Sequence, residues 1–411
     1  MDIKITPSKL KGEVDIPSSK SMTHRILICA ALAKGRSLIT NVSFSKDIYA
    51  TVSALKAMGA KIKTFENSIE VYGIEDISEK SDIDCCESGS TLRFIIPIAC
   101  ALGTDARFFG EGRLPERPIT PYIREFKKKN IDINYSGTMP FEMKGKLSPG
   151  VFELEGDISS QFITGLMFAL PLLEDDSEIV LMSRLESKPY ADMTIKCLES
   201  FGVNITETDR GYYIKGGQSY IAKDMPVEGD YSQAAFFYTA NKLGSDVKIN
   251  NLNEKSFQGD KKIVEITEDL CYNDNGSLSG FDVDASDIPD LVPILAVLGT
   301  YCGGKSVIYG AKRLRIKESD RLKAISDALN SLGGDVRVTE DGLEIYHKKL
   351  SGGIVDSAGD HRIAMSAAIA ATICEHEVII KGAESVEKSY PGFYEDYRKL
   401  GGTADVITLE Q

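Results

Sequence analysis

Pro17-Ser18-Ser19-Lys20-Ser21-Met22-Thr23-His24-Arg25 runs straight on into Ile26-Leu27-Ile28-Cys29-Ala30-Ala31-Leu32-Ala33. A hydroxyl-rich opening feeds an almost wholly apolar helix. Ser18 or Ser19 is an N-cap, since its oxygen can accept from an orphan N–H one turn in. Ser21 and Arg25 share one helix face, while Met22, Ile26, Cys29 and Ala33 form another that reads as core. Free N–H groups beside a Lys and an Arg suit an anion. Taken alone, the stretch favours a plainer reading: an ordinary buried helix with a capped end and two solvated cations. Its recurrence changes the balance.

Segments of the same build begin at Ser21, Ser90, Ser160, Ser232, Asp290 and His361, mostly about 70 residues apart. A second ladder runs out of phase. Its amphipathic helices end at Gly59, Asn130, Gly202, Gly333 and Gly401, with a weaker copy at Asp269-Leu270-Cys271-Tyr272-Asn273. Gly and Asn tolerate the left-handed position just past a helix. The chain therefore reads as an α/β protein of six repeats, each with two helices and interleaved strands. Its 411 residues are too many for one ordinary core. Three repeats plus three predict a first domain over residues 13–226, breaking near Met225-Pro226-Val227, and a second over 227–411. Residues 1–12 are expected to contribute a strand to the second domain.

A net charge of −13 argues against nucleic acid or an anionic membrane as partner. It leaves room for small anions, which respond to the local field of a cleft. The eight cysteines lack Cys-x-x-Cys spacing and a His-rich partner pattern, which points to a reduced, cytoplasmic protein without structural zinc. Met1-Asp2-Ile3-Lys4-Ile5 reads as a strand rather than a signal peptide, and no apolar run is long enough to span a bilayer.

Polar residues foreign to a core gather at helix N-termini. The first ladder carries Lys20, Ser21, Arg25, Gly89, Arg93, Ser159, Ser160, Gln161, Asp290, His361 and Arg362. The second carries Arg117, Ser187, Lys188, Tyr190, the run Lys317-Glu318-Ser319-Asp320-Arg321, and Lys388. If the repeats pack pseudosymmetrically, one end of each domain collects positive potential, which suits a small, multiply anionic ligand held between domains. Lys317 and Arg321, four apart on one helix face, would repel, and an external anion would be a reason to keep both. Singly, each motif has a plain reading: Glu318–Arg321 as a surface pair, Ser159-Ser160-Gln161 as an N-cap, Asp360-His361-Arg362 as a satisfied cap. Recurrence at one structural position argues for the site. The set contains no metal-ligand cluster.

These motifs, in this order along the whole chain, resemble the enolpyruvyl transferases: Pro17-Ser18-Ser19-Lys20-Ser21, Ser88-Gly89-Ser90 with Arg93, Glu116-Arg117-Pro118-Ile119, Ser159-Ser160-Gln161-Phe162, Ser187-Lys188-Pro189-Tyr190, Ile288-Pro289-Asp290, Lys317-Glu318-Ser319-Asp320-Arg321, Asp360-His361-Arg362 and Lys388-Ser389-Tyr390-Pro391. The resemblance implies two domains of three βαβαββ units each, with helices packed pseudosymmetrically as an inside-out α/β barrel. It implies transfer of the enolpyruvyl group of phosphoenolpyruvate to the 5-hydroxyl of shikimate 3-phosphate, by a monomer needing no cofactor or metal. On that basis Ser159, Ser160 and Ser187 hold the shikimate phosphate, Ser21 and Arg25 its carboxylate, and Tyr190 lies against its ring, with Asp290 and Lys317 completing the pocket. Arg117, Arg321, Arg362 and Lys388 surround phosphoenolpyruvate, Gly89 lets backbone approach it, Gln161 lies between the substrates, and Lys20 touches both. Asp290 is assigned the proton of the attacking hydroxyl and Glu318 the proton on carbon, with Lys20 as an alternative donor.

Two residues depart from the family pattern. Glu87 stands where the family commonly has Asn, placing a carboxylate near the phosphoenolpyruvate pocket unless it turns away or pairs. Arg313 replaces another Asn that contacts the shikimate phosphate. The sister branch, which acts on UDP-N-acetylglucosamine, uses a reactive Cys in the loop corresponding to Gly110-Glu111-Gly112-Arg113-Leu114-Pro115, and no Cys is present there.

Overall fold

The structure, a computed structural model, describes residues 1–271 and 278–407; Tyr272 and Asn273 of the weaker repeat copy fall outside them. The chain divides into two compact units, Ser18–Glu228 on the one hand and Met1–Pro17 with Gly229–Gln411 on the other. Residues 13–17, expected with the first domain, group with the second unit because the strand Lys11–Asp15 pairs in parallel along its length with Asp246–Asn250.

Each repeat supplies an inner helix and then an outer one. In the unit 18–228 these are α1 (Lys20–Leu32) and α2 (Lys46–Ala57), α3 (Gly89–Leu102) and α4 (Thr120–Lys127), then α5 (Ser160–Ala169) and α6 (Lys188–Ser200). In the second unit they are α7 (Tyr231–Lys242) and α8 (Lys262–Asp269), α9 (Val292–Tyr301) and α10 (Arg321–Ser331), then α11 (His361–Ala371) and α12 (Phe393–Lys399). The inner helices are apolar on nearly every side and must be covered all round. Accordingly every residue of α11 is buried, as is all of α3 up to Ala101 except Ser90.

The strands show the βαβαββ unit directly. Lys80–Asp84 runs parallel to Asp105–Phe109, which is antiparallel to Phe141–Lys144, itself antiparallel to Asp132–Asn134. The same order recurs through Gly150–Leu154, Ser177–Leu181, Gly211–Ile214 and Ile205–Thr208, and through Asp282–Asp284, Lys305–Tyr309, Leu343–Tyr346 and Asp335–Val338. Two sheets are completed from a distance: Met225–Pro226 joins Arg36–Thr40, and Asp2–Ile5 lies between Val378–Lys381 and Asp405–Ile407. Lys80–Asp84 alternates exposed and buried residues, as a sheet with one wet face does. Helices therefore lie inside and sheets outside in each unit, which is the inside-out sense of the α/β class. Among the described residues the sheets stay separate and open, five of four strands and one of two. No described helix is long and apolar enough to cross a membrane.

Candidate active site

In the unit 18–228 the inner helices start on neutral caps. The side chains of Ser19, Ser88 and Ser159 accept from the backbone N–H groups of Met22, Thr91 and Gln161 respectively. Their N-terminal partial charge is therefore not cancelled by a capping carboxylate. Arg25, buried on α1, donates from Nε to Thr194 Oγ1 at 2.9 Å, from Nη1 to the Ser21 carbonyl at 2.8 Å and from Nη2 to the Tyr190 carbonyl at 2.9 Å. These acceptors are all neutral, and burial pushes its pKa down to about 10. This one side chain ties Ser21 to Tyr190, two of the residues expected at the shikimate ring. Lys20 is the exception, pairing with Asp47 Oδ2 at 2.8 Å.

Arg93 and Gln161 form a second cluster. Arg93 Nη1 donates to Gln161 Oε1 at 2.6 Å, and Gln161 Nε2 donates to Ser90 Oγ at 2.9 Å. Arg93 also lies over the Phe162 ring at 4.9 Å and donates from Nη2 to the Pro118 carbonyl at 3.3 Å. The neighbouring Arg117 guanidinium covers Gly89: a Cβ there would stand 2.5 Å from its Nη1 and 2.7 Å from its Cζ, so a side chain at 89 would push the guanidinium aside. Ser187, buried at the start of α6, takes a left-handed backbone with φ of 57°. Glu87 is turned onto Gly112, where a Cβ would stand 2.2 Å from Glu87 Oε1 and whose φ of +58° favours glycine.

The second unit is built on carboxylates. Asp230 caps α7 and Asp360 caps α11. Arg321, 1% exposed, donates from Nε to Asp360 at 2.9 Å, from Nη1 to Asp290 at 3.0 Å and from Nη2 to Glu318 at 2.7 Å. Arg362 Nη2 donates to Asp290 Oδ2 at 2.8 Å and to Ser232 Oγ at 3.0 Å. Burial alone would raise the Asp290 pKa, but Arg362, Arg321 and Lys317 hold it well below the usual carboxylate range. Burial pushes Lys317 down to about 8; Asp290 and Glu318 oppose this, while Arg321 and Arg313 add to it. Lys388 donates to the Gly359 carbonyl at 2.9 Å, just before the cap of α11. Arg313 is buried, with Nη2 donating to the Ser286 carbonyl.

One expectation fails. Lys317 and Arg321 do not share a helix face. Asp320 caps α10 by accepting from Lys323 N–H, so the helix begins only at Arg321, and Lys317 is extended. Glu318 and Arg321 do pair, but with the guanidinium buried rather than at the surface. Asp47, Thr194 and Tyr122 were not singled out from the sequence. Asp47 had one local signal, an acidic residue in the first turn of a helix capped by Ser45; its pairing with Lys20 is non-local.

Residues 5–397 match the family model described as EPSP synthase (3-phosphoshikimate 1-carboxyvinyltransferase). A Clostridium perfringens protein named 3-phosphoshikimate 1-carboxyvinyltransferase is 47% identical over 97% of this chain and 98% of its own length. One of the same name from Clostridium novyi is 45% identical over 98% of each. Among solved structures, EPSP synthase from Acinetobacter baumannii superposes with a TM-score of 0.83 at 24% identity, covering 99% of this chain and all of that one; at that identity the likeness speaks for the fold.

Proposed function

Because this chain belongs to the EPSP synthase (3-phosphoshikimate 1-carboxyvinyltransferase) family, we propose a division of labour among its residues for the reaction which that name describes. The enzyme transfers the enolpyruvyl group of phosphoenolpyruvate to the 5-hydroxyl of shikimate 3-phosphate and releases phosphate. The unit 18–228 supplies fixed positive potential. Ser159, Ser160 and Ser187 take the shikimate phosphate, and Arg25 with Ser21 takes the carboxylate. Tyr190 lies against the ring, Gly89 and Arg117 serve phosphoenolpyruvate, Gln161 lies between the two substrates and Lys20 touches both. Planar guanidinium forks match carboxylate and phosphate oxygens in pairs.

The second unit carries the proton work together with Lys317, Arg321, Arg362 and Lys388. The observation behind this reading is that Arg321 holds Asp290 and Glu318 on one guanidinium, while Asp290 also receives Arg362. In that state Asp290 is a weak base. When phosphoenolpyruvate oxygens take up N–H groups of Arg321 and Arg362, the cations no longer act on Asp290 alone and its basicity rises. Asp290 then accepts the proton of the attacking hydroxyl. Glu318, which must first take up a proton as burial with bound substrate outweighs its cations, delivers it to the methylene carbon and recovers one from the new methyl group as phosphate leaves. Cations, hydroxyls and carboxylates of the chain itself are assigned every step, so the proposal invokes no cofactor or metal. The net charge of −13 and the free cysteines support a cytoplasmic protein, taken here as a monomer, whose partners are these two small anions.

The test is phosphate release with both substrates and with each omitted in turn. Release only when both are present supports the reading. Release with UDP-N-acetylglucosamine in place of shikimate 3-phosphate would transfer it to the sister branch.

A further inference from the structure

Pro97 stands inside α3, four residues after Arg93. Proline has no N–H, so the Arg93 carbonyl loses the donor that an α-helix would give it. That carbonyl is not left bare. Tyr122 of α4, wholly buried, places its hydroxyl 2.8 Å from both Arg93 O and Phe162 O of α5 and shares its one proton between the two carbonyls. The opening for the hydroxyl is made by Gly165 of α5: a Cβ there would stand 2.2 Å from Tyr122 Oη and 2.3 Å from Arg93 O. The Tyr122 ring meets the Phe162 ring edge to face at 4.9 Å, and Arg93 covers that same Phe162 ring.

We propose that Tyr122 is a positioning residue for Arg93 and Gln161: its hydroxyl replaces the donor that Pro97 removes and so fixes the register of α3 against α5. Three features converge on this one spot: a proline that strips a donor, a glycine that clears a space, and a phenol that fills it. The consequence reaches the site in two directions. The bond from Arg93 to Gln161 Oε1 and the bond from Gln161 to Ser90 orient the Gln161 amide. The bond from Arg93 to the Pro118 carbonyl holds the loop that carries Arg117 over Gly89. A slip of α3 on α5 would loosen both. No reacting atom meets Tyr122, so it acts through these partners.

The inference rests on the assignment of Gln161, Gly89 and Arg117 to the substrates. The experiment compares the full-length wild-type chain, Tyr122→Phe, Pro97→Ala, and the double variant Tyr122→Phe/Pro97→Ala, at a temperature where all are folded by circular dichroism. Tyr122→Phe should lower kcat/KM by roughly tenfold to a hundredfold, because small misplacements of positioning groups have effects of that order. Most of the loss should appear in KM for phosphoenolpyruvate and shikimate 3-phosphate. Pro97→Ala alone should resemble the wild type. In the double variant the substitution of Pro97 returns an N–H to the Arg93 carbonyl, and most of kcat/KM should return with it. The proposal is overturned if Tyr122→Phe shifts only the unfolding midpoint and leaves kcat and KM unchanged. A double variant as impaired as Tyr122→Phe would overturn it too. A wild-type chain without turnover would instead remove the site assignment on which it rests.

Discussion

The inner helices of the two units begin in opposite ways. In the unit 18–228 serines cap α1, α3 and α5, and the buried Arg25 is held by a hydroxyl and two carbonyls. In the second unit aspartates cap α7 and α11, a third lies in the turn leading into α9, and the buried Arg321 is held by three carboxylates. The first arrangement leaves charge for an incoming anion to neutralise. The second is already neutralised, so an anion entering there must redistribute bonds among groups that can also carry protons. The two units share a repeat; on the proposed reading one serves as a receptor and the other is where protons move.

The sharpest way to break this contrast is Glu318→Gln, which keeps the shape and removes the titratable group. Turnover should fall by about 10²–10⁴ while shikimate 3-phosphate still binds, and incorporation of solvent deuterium into the phosphoenolpyruvate methylene should fall in step. Exchange at the wild-type rate would move the role to Lys20. Next in size are paired deletions of the buried arginines. Arg321→Met leaves Asp290, Glu318 and Asp360 without their common cation and should lower unfolding free energy in urea by about 3–5 kcal/mol. Arg25→Met abandons only neutral acceptors and should cost about 1–3 kcal/mol. Equal losses would show that the difference in partners carries no energetic weight.

A third test uses pH. Lys317 sits near 8 instead of its ordinary 10.5. Because the fold depresses this pKa, the charged form is disfavoured in the native state. That cost is fully present below about 8 and disappears as pH rises towards 10.5. In the free enzyme, kcat/KM for shikimate 3-phosphate should fall above about pH 8 by roughly tenfold per pH unit as the ammonium is lost. Lys317→Arg should move that limb out of range. A descending limb unchanged by Lys317→Arg would assign it to another group.

The repeat architecture was legible because its punctuation is local. Gly59, Gly202, Gly333 and Gly401 all have positive φ, and so does Asn130 at 60°, as residues ending helices in the left-handed region should. The serine and aspartate caps are equally local, and they located the starts of α1, α5 and α11. The α/β class follows from these marks. What stayed hidden depends on contacts far apart in the chain. Arg321 collects carboxylates from positions 290, 318 and 360, Lys20 finds Asp47, and Tyr122 finds Arg93 and Phe162. Lys317 misled because spacing alone put it on a helix that Asp320 in fact caps one residue before Arg321.

The smallest expected effect bears most directly on the comparison. Ser88→Asp would give α3 the kind of cap that α7 and α11 already have. Ser88 Oγ accepts from both the Thr91 N–H and the Thr91 hydroxyl, and a carboxylate can accept the same two bonds. Ser and Asp are near-equal as caps, so unfolding free energy should change by no more than about 1 kcal/mol, the upper end of what the helix dipole gives a capping charge. Electrostatics should register the change. A negative charge at a helix N-terminus gains about 0.3–1 kcal/mol from the dipole, and a cap that takes up that potential withholds it from a ligand anion. Phosphoenolpyruvate, if it lies at Gly89 as proposed, should bind up to about fivefold more weakly, and the deficit should shrink in high salt as screening shortens the reach of the added charge. Shikimate 3-phosphate, whose phosphate is assigned to α5 and α6 and whose carboxylate to α1, should bind as before. If Ser88→Asp leaves phosphoenolpyruvate affinity untouched at low salt, cap charge does not tune this site, and the division between a receptor unit and a proton-handling unit would have to rest on Arg25 and Arg321 alone.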